Sequence, residues 1–525
     1  MRLCTGLLSF ALLASPLSAQ PFTEKIDVSL VNVDVTVTSH GSAVRGLTRD
    51  DFEVFEDGVP RPITNFYEIG TPASPPAGPA ASTPPTPDDE RFRRHILLLI
   101  DNTHLTKFTR NRALDGLEKF INDRFTGGAY DWSIAVVDSS VHVALPQTSD
   151  KALIHNALDQ IRRGAAREVT WSNTTTLACP ENLGATTGAA PLVPVDDAAR
   201  TICELAGQIG AREQMMSNQY VQRSIFEAVR GFAGTPGKKV LLVLTSDLGL
   251  PNLPSNSNAA REIIKLRNAI IREANASNVS LYIMNAAGLT PGGDITQHAA
   301  PPDVTVSGIG GPPTDMANMY WVARETGGRL MPGNSPEVSI RQFDEASSRF
   351  YSLAYRAPHP DDGRYHRIQV RVKRPGRYEL HYRDGYAAIP RELEIVRALQ
   401  TPLSAVLQSS TLSVSATAGE LRQLGKGIEV PIEARIPLKD LQFTPAGNGW
   451  HATVDVFVSV FDEDGTNLAL RRFTTTANAP GAAAEGELVH NATVKLGSGK
   501  PHTIVIAVRD QTSDAVGLWR QSVHF

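Results

Sequence analysis

The residue types able to do chemistry are few and scattered. The chain holds three cysteines, Cys4, Cys179 and Cys203. Cys4 lies within the leader read below, which leaves an even pair in an exported chain, and such a pair predicts a disulfide between Cys179 and Cys203. Closing a loop of that size contributes about 3 kcal/mol where the native geometry is unstrained; two free thiols are the alternative. Carboxylates cluster at Asp361-Asp362-Gly363 and Asp462-Glu463-Asp464-Gly465. Calcium loops use such clusters, with oxygens at set spacings. Here the first runs on into Arg and His and the second sits between alternating apolar runs, so both read as turns. No G-x-S-x-G elbow, Walker A loop, H-E-x-x-H or C-x-x-C occurs. Net charge is -4, and no basic block is interleaved with aromatics, which argues against a nucleic-acid partner.

The elements that must position any site begin with the leader. Arg2 supplies a positive end, Leu7 to Leu13 an apolar run, and Leu17-Ser18-Ala19 a small-residue cleavage site before Gln20. The apolar run is shorter than the roughly 20 residues needed to span a bilayer, and no later run is long enough either. Residues 1–19 are therefore expected to be a signal peptide, and the remainder exported, periplasmic or extracellular, and not membrane-spanning.

At 525 residues the chain predicts roughly two to four domains. From Ile26 to Val37 apolar residues alternate, with a slip at Leu30-Val31 that predicts a bulge or change of face. A second strand surrounds Phe52 to Phe55, followed by the hairpin signal Asp57-Gly58. Residues 71–90 form a Pro/Ala-rich linker. From 91 to 357 strands and helices alternate. His95 to Ile100 and Lys239 to Thr245 are continuous apolar runs, as expected of strands buried on both faces, and helical spacing recurs at Leu114, Leu117, Phe120 and Ile121. This pattern predicts a doubly wound, mostly parallel α/β sheet. The segment 163–214 within it is far longer than an ordinary connection and carries both cysteines. Residues 20–70 and 358–392 are each too small to form a stable β unit alone, so they are expected to pair, with the α/β domain inserted between them. Beyond Arg391 the chain reads as strand-rich, and residues 393–525 as a β-sandwich.

Particular stretches then resemble a known family. Ile96–Ile100 ending in Asp101-Asn-Thr-His-Leu, and Val240–Leu244 ending in Thr245-Ser-Asp247, resemble the two anchor points of von Willebrand factor A domains. Val31-Asn-Val-Asp-Val-Thr-Val, Gly46-Leu-Thr-Arg-Asp-Asp-Phe-Glu-Val-Phe-Glu-Asp-Gly and Tyr365-His-Arg-Ile-Gln-Val-Arg-Val-Lys-Arg-Pro-Gly resemble acidobacterial A-domain proteins, over roughly residues 24–390. The resemblance implies a Rossmann-like fold with a metal-ion-dependent adhesion site at the carboxyl edge of its sheet. There Mg²⁺ or Mn²⁺ would be held by oxygens, with one position left for a partner's acidic group.

On that pattern Asp101 stands for the first carboxylate, Thr103 for the first hydroxyl and Asp247 for the distant carboxylate. Leu105 replaces the second hydroxyl and Arg223 the distant Thr. Two outcomes follow. The Arg223 guanidinium would lie between Asp101 and Asp247 in place of a metal, or the insertion would supply an oxygen from Thr174, Thr175 or Thr176 and a metal would stay. His104, beside them, is a ligand or, more commonly for such a position, a hydrogen-bonded loop histidine. The resemblance implies protein binding or adhesion through this edge and the insertion, without enzymatic activity. Two other readings share the chain. One is a structural subunit of an envelope complex. The other is a haloacid dehalogenase-like hydrolase with Asp101 as nucleophile, which lacks the expected second carboxylate because position 103 is Thr.

Overall fold

The computed structural model describes residues 30–40, 42–70, 93–124, 130–138, 141–164, 216–233, 235, 237–250, 258–286, 316–332, 335–359, 362–401, 403, 410–420, 422–424, 427–446, 449–462, 466–497 and 502–523. The leader, the linker and the Cys179–Cys203 pair lie outside these residues. Among the described residues no helix is long and apolar enough to cross a membrane.

The chain is mixed α/β with several sheets. Its central sheet has the order Leu330–Pro332, Val279–Asn285, Lys238–Thr245, Arg94–Asp101, Tyr130–Val137, Val141–Thr148. All neighbours are parallel except the last pair, a hairpin. The two central strands are buried at every residue, because helices cover both faces. Alternate side chains of one strand serve opposite cores, as the two-residue period of a strand requires. Ile96, Leu98 and Ile100 pack with Leu114, Leu117, Ile154, Leu158 and Phe343, from helices Lys107–Arg124, Lys151–Arg163 and Pro336–Ser348. Leu97 and Leu99 pack with Val221, Ile225, Ile270, Ala274 and Val322, from the helix at 216–231 and helices Asn258–Ala276 and Ala317–Glu325.

The segments before and after this unit share sheets and a core. Strand Phe52–Glu56 pairs with Tyr365–Val372, and Leu30–Ser39 pairs with both Phe350–Arg356 and Glu379–His381. Val33, Val35, Phe52, Val54, Leu353, Tyr355, Ile368 and Val370 form their common apolar cluster.

Two details correct the sequence reading. Phe350–Arg356 belongs to this β unit and not to the α/β sheet, since Tyr351, Leu353 and Tyr355 face the β cluster. The α/β unit therefore ends near residue 349. The slip expected at Leu30-Val31 turns on residues before Leu30, which lie outside the described residues; from Leu30↔Arg356 to Val35↔Tyr351 the register is continuous, and the strand changes partner beyond Val35. Finally, Arg391–Ala398 is a helix, in a stretch expected to be strand-rich. Pro390 precedes it, Glu392 and Glu394 lie in its first turn and Arg397 in its last, an arrangement the helix dipole favours.

After this helix come two antiparallel sheets. One holds Ser415–Ala418, Arg422–Leu424, Gly427–Pro437 and Glu487–Gly497; the other holds Thr444–Ala446, Gly449–Phe461, Asn467–Ala479, His502–Asp510 and Val516–Val523. Val430, Ile432 and Ile436 of the first share a cluster with Val454, Val456, Ile504 and Ile506 of the second. On the far side of the second sheet Ile395 and Leu399 pack on Phe457, Phe461 and Val505. Gly449–Phe461 is therefore buried on both faces over its second half.

Candidate functional site

The chemistry-bearing side chains meet at the carboxyl edge of the central sheet. Asp101 ends its strand and is fully buried. Its Oδ1 accepts hydrogen bonds from the Thr103 amide at 2.9 Å and the Thr103 hydroxyl at 2.5 Å. Its Oδ2 lies 2.7 Å from the Thr245 hydroxyl and 2.7 Å from His104 Nδ1. Thr245 ends the neighbouring strand, so parallel pairing of the two strands brings their last residues together.

His104 is the centre of this arrangement. Its side chain is 4 % exposed. Nδ1 faces the Asp101 carboxylate and Nε2 faces Asn218 Oδ1 at 3.0 Å. With the Asn218 amide placed this way both partners are acceptors, an arrangement that suits a doubly protonated ring. Burial alone would push its pKa down. The bond to Asp101 and that carboxylate's charge, with Asn218 and Asp247, outweigh burial and hold it above the usual histidine value. Ser246 donates to the His104 carbonyl, tying the two site loops together.

Asp247 Oδ1 accepts from the Gly249 amide at 2.9 Å, which closes a tight turn. Gly249 has φ +63°, and a Cβ there would stand 2.4 Å from Asn218 Cβ. The turn reaches Asn218 only because that residue is glycine.

Leu105 is buried in the apolar cluster beneath helix Lys107–Arg124, where it packs and offers no ligand. Arg223 corrects the expectation of a guanidinium between the two aspartates. It is 53 % exposed, bonds Glu227 one helical turn on at 2.7 Å, and lies 3.5 Å from the Thr466 hydroxyl. The i,i+4 spacing of Arg223 and Glu227 is the sequence signal for that outcome. The helix contributes Asn218, from its first described turn, in place of Arg223.

Arg110, which the sequence reading passed over, is 1 % exposed. It donates to Asn102 Oδ1 at 3.3 Å and to the carbonyls of Arg162 and Gly164 at 3.4 and 3.3 Å. Asn102 in turn donates to Asp138 at 3.1 Å. Arg110 thus fastens the loop after Asp101 to the root of the long insertion, whose threonines lie outside the described residues. Arg110 sits in the polar first turns of its helix, between Thr109 and Asn111, and nothing in that pattern marks it as buried.

The donor set does not fit the octahedral Mg²⁺ or Mn²⁺ site implied by the resemblance. Both Asp101 oxygens are already bonded, an imidazolium occupies the cationic role, and Leu105 removes a ligand. Nor is Asp101 presented as a nucleophile, since it is 0 % exposed. The arrangement is a neutralised, hydrogen-bonded floor beneath the edge loops.

No protein-family model matches the chain, and no curated protein matches it. Among solved structures it is similar to an aerotolerance-related membrane protein from Bacteroides fragilis, at 13% identity and TM-score 0.25, over 48% of this chain and 98% of that one. It is similar to the conserved hypothetical protein BatB from Bacteroides thetaiotaomicron, at 14% identity and TM-score 0.23, over 49% and 97%. It is also similar to the manganese-loaded TRAP protein of Plasmodium vivax, at 10% identity and TM-score 0.23, over 57% and 95%. At TM-scores this low the likenesses carry no functional argument, and any assignment rests on the residues themselves.

Proposed function

We propose that this chain is an exported, non-enzymatic protein-binding module of the von Willebrand A type. Its recognition face is the carboxyl edge of the α/β sheet together with the 163–214 insertion, and it works without a metal bridge. The two sheets that follow are read as a sandwich. The observation that carries this reading is the bonded set at that edge. The Asp101–His104 pair, 2.7 Å apart, neutralises the carboxylate that would otherwise call for a cation. Arg110 joins the same loop to the insertion. A partner would then be recognised by shape and hydrogen bonding around the insertion. Phe108, 74 % exposed on the first helical turn beside the site, offers an aromatic anchor of the kind enriched at interfaces.

The test is capture from envelope extracts by immobilised full-length protein. A band lost on deletion of 165–212 and weakened by Phe108→Ser supports the reading. A band indifferent to both changes and lost on removal of 393–525 would move recognition to the C-terminal sheets and favour the structural-subunit reading. Leader function is tested separately, by comparing the mass of the mature protein with cleavage before Gln20.

A further inference from the structure

At the opposite, amino edge of the central sheet a cleft of about 450 Å³ separates the α/β unit from the β unit built around it. This volume falls within the range of about 300–1,000 Å³ typical of small-molecule sites, which favour such domain boundaries. Its lining is cationic. Lys238 and Lys239 are each 7 % exposed. Lys238 Nζ lies 3.9 Å from Asp34 and 3.6 Å above the Phe350 ring, and Lys239 Nζ donates to the Thr235 carbonyl at 2.8 Å. Arg383 also lines the cleft. It spends its terminal nitrogens on the Asn275 and Asn32 carbonyls, and its buried Nε has no hydrogen-bond partner.

The remaining charges at the rim are spoken for: Arg391 bonds Glu394 and Arg397 bonds Glu273. Two buried lysines and the partly buried Arg383 thus face Asp34, while Glu394, which also lines the cleft, is bonded to Arg391. Buried charge without a counter-charge is costly, and each lysine keeps donors to spare.

We propose that this cleft binds a small organic anion whose phosphate or carboxylate is held by Lys238, Lys239 and Arg383, with its apolar part against Phe350 and Tyr67. The protonation of the lysines agrees. Burial pushes both down to about 8; Asp34 raises Lys238 and Arg94 lowers it, while Glu394 and Asp34 raise Lys239 against Arg391 and Arg383. An anion restores their charge, so binding takes up protons near pH 8 and weakens as pH rises above it.

Calorimetry of the full chain with phenyl phosphate, benzoate and inorganic phosphate, at constant ionic strength and in two buffers of different ionisation enthalpy, tests this. Expected are sub-millimolar binding of phenyl phosphate or benzoate, proton uptake at pH 8, and weaker binding of inorganic phosphate. The tighter of the two organic probes identifies the head group. The Lys238→Met/Lys239→Met variant should bind at least about tenfold more weakly with an unchanged or higher Tm. Should it fail to fold, Asp34→Asn serves instead, and is expected to bind the anion more tightly. Neither organic probe binding below 10 mM, equal binding by the folded double variant, or inorganic phosphate matching phenyl phosphate would overturn the proposal.

Discussion

His104 Nδ1 and Asp101 Oδ2 lie 2.7 Å apart, with the two side chains 4 % and 0 % exposed. A buried ion pair of this kind is a weak source of net stability, because desolvation offsets most of the attraction, but breaking it strands a charge. His104→Ala should therefore destabilise the α/β unit by about 3 kcal/mol or more, read as a lower urea midpoint. Asp101→Asn/His104→Gln, which removes both charges, should cost markedly less. Equal losses in the two variants would show that the pair is not charged.

The same relationship predicts metal behaviour. Titration with Mg²⁺ or Mn²⁺ should show no micromolar binding by the wild type. His104→Ala/Leu105→Ser takes the ring away from Asp101 Oδ2, which keeps its bond from the Thr245 hydroxyl, and supplies a hydroxyl; it should gain measurable Mn²⁺ affinity by electron paramagnetic resonance, at some loss of core stability from the buried Leu105. Micromolar binding by the wild type would sink the metal-free reading.

Arg223 should be dispensable for the site. The guanidinium is 53 % exposed but the Glu227 side chain only 15 %, so Arg223→Ala should lower the urea midpoint modestly, by more than the ~0.3–0.5 kcal/mol of a fully exposed helical pair. It should also leave the His104 ring resonances where they are in the wild type. Displaced His104 resonances would place the guanidinium closer to the pair than its bond to Glu227 allows.

His366 predicts a pH dependence in the β unit. Its Nδ1 lies 2.7 Å from Asp57 Oδ2 and its Nε2 3.1 Å from Asp362 Oδ1. Burial would lower its pKa, but the two carboxylates outweigh this and raise it above the usual histidine value. Backbone and His366 hydrogen bonds hold Asp57, against its burial, and Asp362 below the usual carboxylate range. The histidine's contribution is complete below its unfolded pKa, near 6.5, and is lost as pH rises through the raised folded value. The carboxylates' contribution is lost as pH falls through their lowered values. The urea midpoint should drop between pH 6 and pH 9, and His366→Gln should drop less. Parallel profiles for the two proteins would refute the assignment.

A protease site placed in the 71–87 linker tests the shared β unit. After cleavage the N-terminal fragment should stay bound through gel filtration, held by pairing of Leu30–Ser39 with Phe350–Arg356 and of Phe52–Glu56 with Tyr365–Val372. Its release under native conditions would contradict that pairing.

Periodicity made much of the local structure legible. His95–Ile100 and Lys239–Thr245 read as strands covered on both faces because such strands have no polar alternation to show. Spacing declared most of the buried faces of two helices: Leu114, Leu117 and Ile121 are buried with Phe120 partly so, and Ile154, Leu158 and Ile161 are buried while Leu153, of the same run, is 47 % exposed. These signals are local, and the α/β alternation follows from them.

What only tertiary structure decided are the pairings between distant residues. Phe350–Arg356 follows directly on a helix of the α/β unit, and nothing in its own pattern says that its partners are Leu30–Val35, some 320 positions earlier. Whether Arg223 points at Asp101 or at Glu227 depends on which side of its helix faces the sheet edge, which a motif match does not specify. The place of His104 between Asp101 and Asn218 requires three segments to converge. Side-chain type and spacing determined which groups were available at the carboxyl edge; the packing of two strands and a helix determined that the His104 ring, and not the Arg223 guanidinium, lies against Asp101.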